Sequence, residues 1–481
     1  MRSLQHVVAG ARLASLSTEA LPVVDPATGA VIASCPAGCA ADVDAAVAAA
    51  RAAAPVWASM PLDERGRMLR RAGERVAAAA PGLALWESRE MGKPIAMATA
   101  DIVGSAAGFE AYATLAGEHL ADRDPGVSRV VRAPYGVAAL VVPWNYPVCI
   151  AIDGLASLLA AGNTVVLKPS EKSPLSGVAL MDALDHLPPG VVNLLLGDGR
   201  SGGPLVEHPG VDIVSFTGSV ATGRRVGEAC GRRLVPALLE LGGKDAVVVD
   251  ADVDPAWAAT LVARGAFTNT GQVCTSIERV YVHEAIAAEF VRELVAMADS
   301  TRVGPPDAAD TDLGPLVDAR QRDVVDGHVR DAVAGGARVL VGGRVPDGPG
   351  WYYPPTVVVD VPDDATLMTD ETFGPVAPVR VVASFAEALR LAASGTYGLG
   401  ATVLTGDPAH ATDASRLPAA TVTVNDGGEW PADAEFEPAR ASGVGRVGTG
   451  RAMLDAVTRP TTVIVAPAPT RPRGPALPRT A

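Results

Sequence analysis

VAALVVPWNYPVCIAIDGLASLLAAGNTVVLK, residues 137–168, decides the fold. The apolar run Val137–Val142 is broken by a proline-flanked turn, a helical stretch follows over Ile150–Ala161, and a second apolar run occupies Thr164–Leu167. Strand, helix and strand at this interval predict a βαβ unit with parallel strands. The rhythm continues outward to Val249. Further apolar runs lie at Val191–Leu196, Ile213–Phe216 and Ala246–Val249, with helical stretches at Pro174–Leu187, Gly203–His208 and Val220–Gly231. The expectation is an α/β layered domain.

Upstream, Val23–Cys35 reads as a strand pair, and the alanine-rich stretch Ala41–Ala54 opens a helical region with acidic residues at its start. Downstream, a second α/β series is predicted. Its strands fall at Val280–Val282, Arg338–Val341, Thr356–Val359, Val376–Val382, Ala401–Leu404 and Thr421–Asn425; its helices fall at Glu284–Ala298, Ala319–Ala334, Phe385–Ala393 and Ala409–Leu417. The last run, Thr461–Val465, has no nearby partner in sequence, and Pro467–Ala481 reads as an exposed arm.

The 481 residues suffice for two or three domains, and 48% hydrophobic with 20% charged residues describes a globular chain. No run of about 18 apolar residues escapes a charge, Pro or Gly, and Met1–Leu16 lacks a signal-peptide core. A cytoplasmic protein with no membrane partner is expected. The net charge of −14 argues against nucleic acid, which needs clustered positive charge. Five cysteines (Cys35, Cys39, Cys149, Cys230 and Cys274) make no even disulfide framework, and Cys35 with Cys39 lacks a second ligand pair, so no metal is expected.

Three segments can carry chemistry. Cys274 stands in Gly271-Gln272-Val273-Cys274-Thr275, a glycine-containing turn after a helical run, Trp257–Phe267. Glu240 ends the apolar run Leu234–Leu239, just before Gly242-Gly243. Asn145 stands in Pro143-Trp144-Asn145-Tyr146-Pro147, where an α/β fold places ligands. Taken singly, the thiol could be a core residue, the carboxylate a solvated strand end and the amide a turn former. Together they are a nucleophile, a base and an oxyanion donor. For a dinucleotide, Phe216-Thr217-Gly218-Ser219 joins a strand to a helix and could seat a phosphate. Lys168-Pro169-Ser170-Glu171 offers a cation and a carboxylate beside it.

These motifs, in this order, resemble the aldehyde dehydrogenase superfamily of the NAD(P)-dependent, hydrolytic type, from Val23 to Val465. The resemblance implies a Rossmann-type cofactor domain (1–121 and 137–242), an α/β catalytic domain (243–441) and a small oligomerisation flap with the C-terminal tail (122–136 and 442–481). It implies that Cys274 attacks an aldehyde to give a thiohemiacetal and, after hydride transfer, a thioester. Asn145 and the Cys274 N–H would form the oxyanion hole, and Glu240 would activate the hydrolytic water. Trp144, Lys168, Ser170, Glu171, Gly218, Ser219, Glu371 and Phe373 would hold the cofactor. Tyr146, Asp153, Thr275 and Asn425 would face the substrate. Glu171 should repel the 2′-phosphate of NADP, favouring NAD while leaving NADP possible. A homodimer or homotetramer is implied. The alternatives are a coenzyme A-acylating enzyme, which would typically lack Glu240, and a non-catalytic scaffold.

Two departures fall where this family builds its substrate funnel. Asp153 and Gly154 stand where an aromatic residue and a Lys are common, and Glu435–Ala441 replaces a Gly-Gly segment ahead of Ser442-Gly443. Asp153 with Glu429, Asp433, Glu435 and Glu437 would attract a cationic aldehyde, aided by Trp430 and Tyr146, unless the loop is merely a solvated acidic face.

Overall fold

The structure, a computed structural model, describes residues 2–120, 128–426, 435–448 and 450–464. Two large β-sheets, each covered by helices, stand within it beside a three-stranded sheet and two two-stranded ones. The first contains β1 (His6–Val8), β2 (Ala11–Leu13), β3 (Val137–Val141), β4 (Thr164–Lys168), β5 (Val192–Leu194), β6 (Ile213–Thr217) and β7 (Ala237–Glu240). The second contains β8 (Asp245–Val249), β9 (Ile277–His283), β10 (Arg338–Val341), β11 (Thr356–Val359), β12 (Val376–Val382), β13 (Gly400–Leu404) and β14 (Thr421–Val424). A short β15 (Gly443–Val444) returns to the first sheet, antiparallel to β7.

The first sheet runs β15-β7-β6-β3-β4-β5-β1-β2, and the five strands from β7 to β5 are parallel. The chain progresses one way from β3 through β4 to β5, and the other way from β6 to β7. A crevice therefore opens between the C-terminal ends of β3 and β6, the place where open parallel sheets bind ligands. The second sheet runs β10-β11-β12-β9-β8-β13-β14, parallel except where β10 meets β11. Every residue of β4 and β8 is buried, as befits strands covered on both faces.

The helices that matter here are α1 (Ala40–Ser59), α2 (Leu62–Met91), α3 (Ile95–His119), α4 (Pro147–Ala161), α5 (Pro174–Ala183), α6 (Gly199–Glu207), α7 (Val220–Arg233) and α8 (Pro255–Phe267). α4 begins earlier than its apolar pattern predicts because Pro147 occupies its first position, where a missing N–H costs nothing. α6 likewise begins before Gly203, since the Asp198 side chain accepts the Arg200 N–H and caps it.

One grouping needs correction. The run Ala246–Val249, read with the first series, is the interior strand β8 of the second sheet, between β9 and β13. The late run Thr461–Val465 finds its partner in Ser128–Pro134, which pairs antiparallel with Thr458–Ile464. Residues 122–127 of the expected flap, and Pro467–Ala481, lie outside the described residues. Within them, no helix is long and apolar enough to cross a membrane.

Candidate active site

Cys274 is held by a loop that local preference alone would not form. After α8 the chain makes a 3₁₀ turn, Thr268–Gly271, with φ of 52° at Asn269, 58° at Thr270 and 69° at Gly271. Left-handed backbone at a β-branched residue persists only where the surroundings enforce it. Asn269 Nδ2 donates to the carbonyls of Asn145 and Gln272, both at 3.2 Å. Gln272 Nε2 donates to Asn269 O at 3.1 Å, while Gln272 Oε1 accepts the Val317 N–H at 2.9 Å. Thr270 Oγ1 donates to Gly314 O at 3.0 Å.

Asn145 follows β3 and is buried. One amide hydrogen is used at 3.0 Å on the Gln272 carbonyl, leaving a second free to meet a developing oxyanion. Glu240 ends β7 in register with Thr217 of β6, whose Oγ1 lies 3.5 Å from Glu240 Oε2. Burial raises the pKa of Glu240 above the ordinary carboxylate range, opposed by Thr217. The Cys274 thiol is raised well above its usual value, by burial first and then by Glu240, Asp245 and Glu371. Glu240, itself of raised pKa, is thus close enough to act on the charge of the thiol.

Cys274 lines a cavity of about 210 Å³ together with Pro143, Trp144, Asn145, Ile150, Thr217, Gly218, Ser219, Leu241, Gly242, Gln321, Val324, Glu371 and Phe373. It is the crevice between β3 and β6. Ser219 caps α7 by accepting the Thr222 N–H, so a helix start borders the cavity. Trp144 meets Phe373 edge to face with ring centroids 5.4 Å apart. A Cβ at Gly242 would lie 2.3 Å from Glu371 Oε2, so only glycine permits this close approach. Glu371 Oε1 accepts the Gly243 N–H at 3.0 Å, and burial raises the Glu371 carboxyl to about 8. These residues fit a dinucleotide: bare backbone, a helix N-terminus and aromatic walls around the thiol.

The Glu371-Thr372-Phe373 loop is braced from behind. Glu278 accepts the N–H groups of Thr372 and Phe373, each at 2.7 Å, and its Oε2 lies 2.5 Å from Lys244 Nζ in a buried ion pair. Gln321 Nε2 donates to the carbonyls of Thr372 and Phe373. Gly271 touches the same loop: a Cβ there would lie 2.1 Å from Gly374 O.

Of the expected ribose contacts, Lys168 is buried at the end of β4, its Nζ donating to Pro169 O at 3.0 Å, and burial lowers its pKa. Glu171 is near enough to oppose that fall. The Ser170 hydroxyl accepts the Lys172 N–H. Lys172 pairs with Asp318 at 2.6 Å and lies 5.3 Å above the Trp144 ring.

A second, larger cleft meets Val273 and Thr275 and is also lined by Met97, Asp101, Tyr146, Asp426 and Glu435. Asn425, expected among the substrate contacts, is at a turn with φ 56°. Its Oδ1 accepts the Thr405 N–H and its Nδ2 donates to Thr405 O, so its amide holds the turn while Asp426 lines the cleft. Asp153 is exposed on α4; the protein crowded round it, and Glu240, push its carboxyl up to about 7. Glu429, Trp430 and Asp433 lie outside the described residues.

Sequence reasoning missed Asn269, Gln272, Thr217, Glu278, Lys244 and Gln321. A signal existed for two of them, since Asn269 and Gln272 are side-chain amides within five residues of the thiol, flanking Gly271.

The fold and site fit an oxidoreductase of the dinucleotide-binding class. The model of the aldehyde dehydrogenase family matches residues 13–463, and the chain belongs to that family. A chloroplastic aminoaldehyde dehydrogenase of Arabidopsis thaliana is 36% identical over 405 residues, covering 80% of this chain and 81% of that protein. Among solved structures, lactaldehyde dehydrogenase from Escherichia coli superposes with a TM-score of 0.91 at 32% identity, covering 96% of this chain and 98% of that one. An NAD-dependent aldehyde dehydrogenase from Sinorhizobium meliloti does so with a TM-score of 0.93 at 32% identity, covering 98% and 97%. The protein is an aldehyde dehydrogenase, and its family uses NAD(P).

Proposed function

We propose that this enzyme oxidises an aldehyde irreversibly to its carboxylic acid, with NAD as the favoured cofactor and Cys274 as the nucleophile. One observation carries the reading. Cys274 lines the crevice at the C-terminal ends of β3 and β6 while its neighbours Val273 and Thr275 line the second cleft, which supports a thiol standing between a cofactor space and a substrate space.

The chemistry follows from the groups around it. Glu240, whose pKa is raised, accepts the thiol proton as sulfur bonds to the carbonyl carbon. The resulting oxyanion is met by the second Asn145 amide hydrogen and the Cys274 N–H. A bound nicotinamide cofactor, held by Trp144, Gly218, Ser219, Glu371 and Phe373, supplies the hydride acceptor. Once Glu240 has released the thiol proton to solvent it takes a proton from water, the hydroxide adds to the thioester carbonyl, and the acid leaves as the sulfur takes that proton back from Glu240.

Glu171 beside Lys168 supports NAD over NADP by charge. Glu240 supports hydrolysis over transfer to coenzyme A. The ribbon Ser128–Pro134 with Thr458–Ile464 is read as the arm that joins a second copy, since a two-stranded ribbon is marginal alone. Five free cysteines suit a reducing, cytoplasmic setting. The test is NADH formation over aldehydes of varied charge and length, without coenzyme A; an absolute requirement for coenzyme A would overturn the hydrolytic reading.

A further inference from the structure

We infer that Asp153 selects the substrate, favouring aldehydes whose far end carries an ammonium group. This rests on Cys274 being the nucleophile that meets the aldehyde.

In α4, every residue is buried except Ile150 and Asp153. Tyr146, Ile150 and Asp153 stand at i, i+4 and i+7, so they share one face of the helix. Ile150 lines the cavity with Cys274, and Tyr146 lines the adjoining cleft. That face is the one wet stripe of α4, leading away from the thiol and ending at a carboxylate. Gly154 beside it is forced by packing, because a Cβ there would lie 2.6 Å from Leu140 Cδ1, and it leaves no neighbouring side chain to compete.

Asp153 faces α3, where a Cβ on Gly108 would lie 4.0 Å from its Oδ1 and where Tyr112 feels its charge. Among the described residues its carboxylate has no hydrogen-bond or ion-pair partner, and its nearest charged influence, Glu240, is of the same sign. Asp101 is different. It lines the cleft, but Lys93 Nζ lies 3.2 Å from its Oδ2. The same ammonium lies 3.5 Å from the centre of the Tyr146 ring, so one face of that ring already holds a cation. Asp153 lies beyond the cleft lining, one helical turn past Ile150 on the same face of α4; an ammonium that follows this face gains least at Asp101 and Tyr146, which already hold Lys93, and most at Asp153, where it also relieves the repulsion from Glu240. Ile150 and Asp153 are separated by about 4.5 Å of helix rise, which suits a short spacer between the two ends of the substrate.

The test compares kcat/KM for an ω-amino aldehyde with that for an uncharged aldehyde of equal length, in the wild type, Asp153→Asn and Asp101→Asn. The wild type should favour the ammonium substrate by about tenfold or more, the scale of one close charge pair. Asp153→Asn should remove most of that ratio, and Asp101→Asn should remove less. Turnover of the uncharged aldehyde with the ratio intact in Asp153→Asn overturns the inference alone. Absence of turnover for every aldehyde overturns it together with the reading of Cys274.

Discussion

The Asn145 carboxamide and the Gln272 carbonyl are joined by a 3.0 Å hydrogen bond that ties the turn after β3 to the loop carrying Cys274. The donor expected to face the oxyanion is thereby oriented by the loop that carries the expected nucleophile. Asn269 closes the arrangement by donating to both segments.

Asn145→Ala should lower kcat about 10²–10³-fold, the usual loss on removing one oxyanion donor. Steady-state kinetics checks this, with circular dichroism to verify the fold. A fall in NAD affinity without a fall in kcat would assign Asn145 to the cofactor instead.

Cys274→Ala should abolish aldehyde oxidation while leaving NAD binding near wild type. Retention of more than about a hundredth of the activity would exclude covalent catalysis, because losing a nucleophile costs orders of magnitude.

Glu240→Gln should slow deacylation more than acylation, giving an NADH burst followed by a slow steady state in rapid mixing. Glu240 acts as a carboxylate with a raised pKa, so activity is present above that pKa and lost as pH falls through it. The acid limb of the wild-type kcat profile should thus lie above the ordinary carboxylate range, and it should vanish in the variant.

Glu278→Gln should release the Glu371-Thr372-Phe373 loop and leave Lys244 buried without its carboxylate. Breaking such a pair costs roughly 3–5 kcal/mol. Thermal unfolding should report that loss, and KM for NAD should rise more than kcat falls.

Glu171→Ser should narrow the preference for NAD by relieving repulsion of the 2′-phosphate. A wild type that prefers NADP would overturn the assignment of Lys168 and Glu171 to the ribose.

Apolar runs made the strands legible, since β4 and β8 are buried at every residue. What a run does not encode is its sheet: Ala246–Val249 reads as a strand whichever layer it joins, and only the turn at Gly242-Gly243 carries it into the second. Cys274, Glu240 and Asn145 stood out because their residue types together would supply a reaction, and the fold brings Cys274 and Asn145 to one cavity with Glu240 near enough to act on the thiol. Lys93, Lys244 and Glu278 were not, because an isolated charge reads as surface and only the fold reveals its buried partner. Asn425 shows the converse: an amide in a suggestive motif is engaged with its own backbone neighbour across the sheet.

Gly271 and Gly374 meet main chain to main chain, with no side chain between them. A change at either glycine would shift Cys274 and the Glu371-Thr372-Phe373 loop in one stroke. Ancestors of this chain could therefore not have retuned one half of the reaction while sparing the other through this joint. Diversification among descendants should be sought in the outer wall, around Asp153, where a substitution leaves that joint untouched.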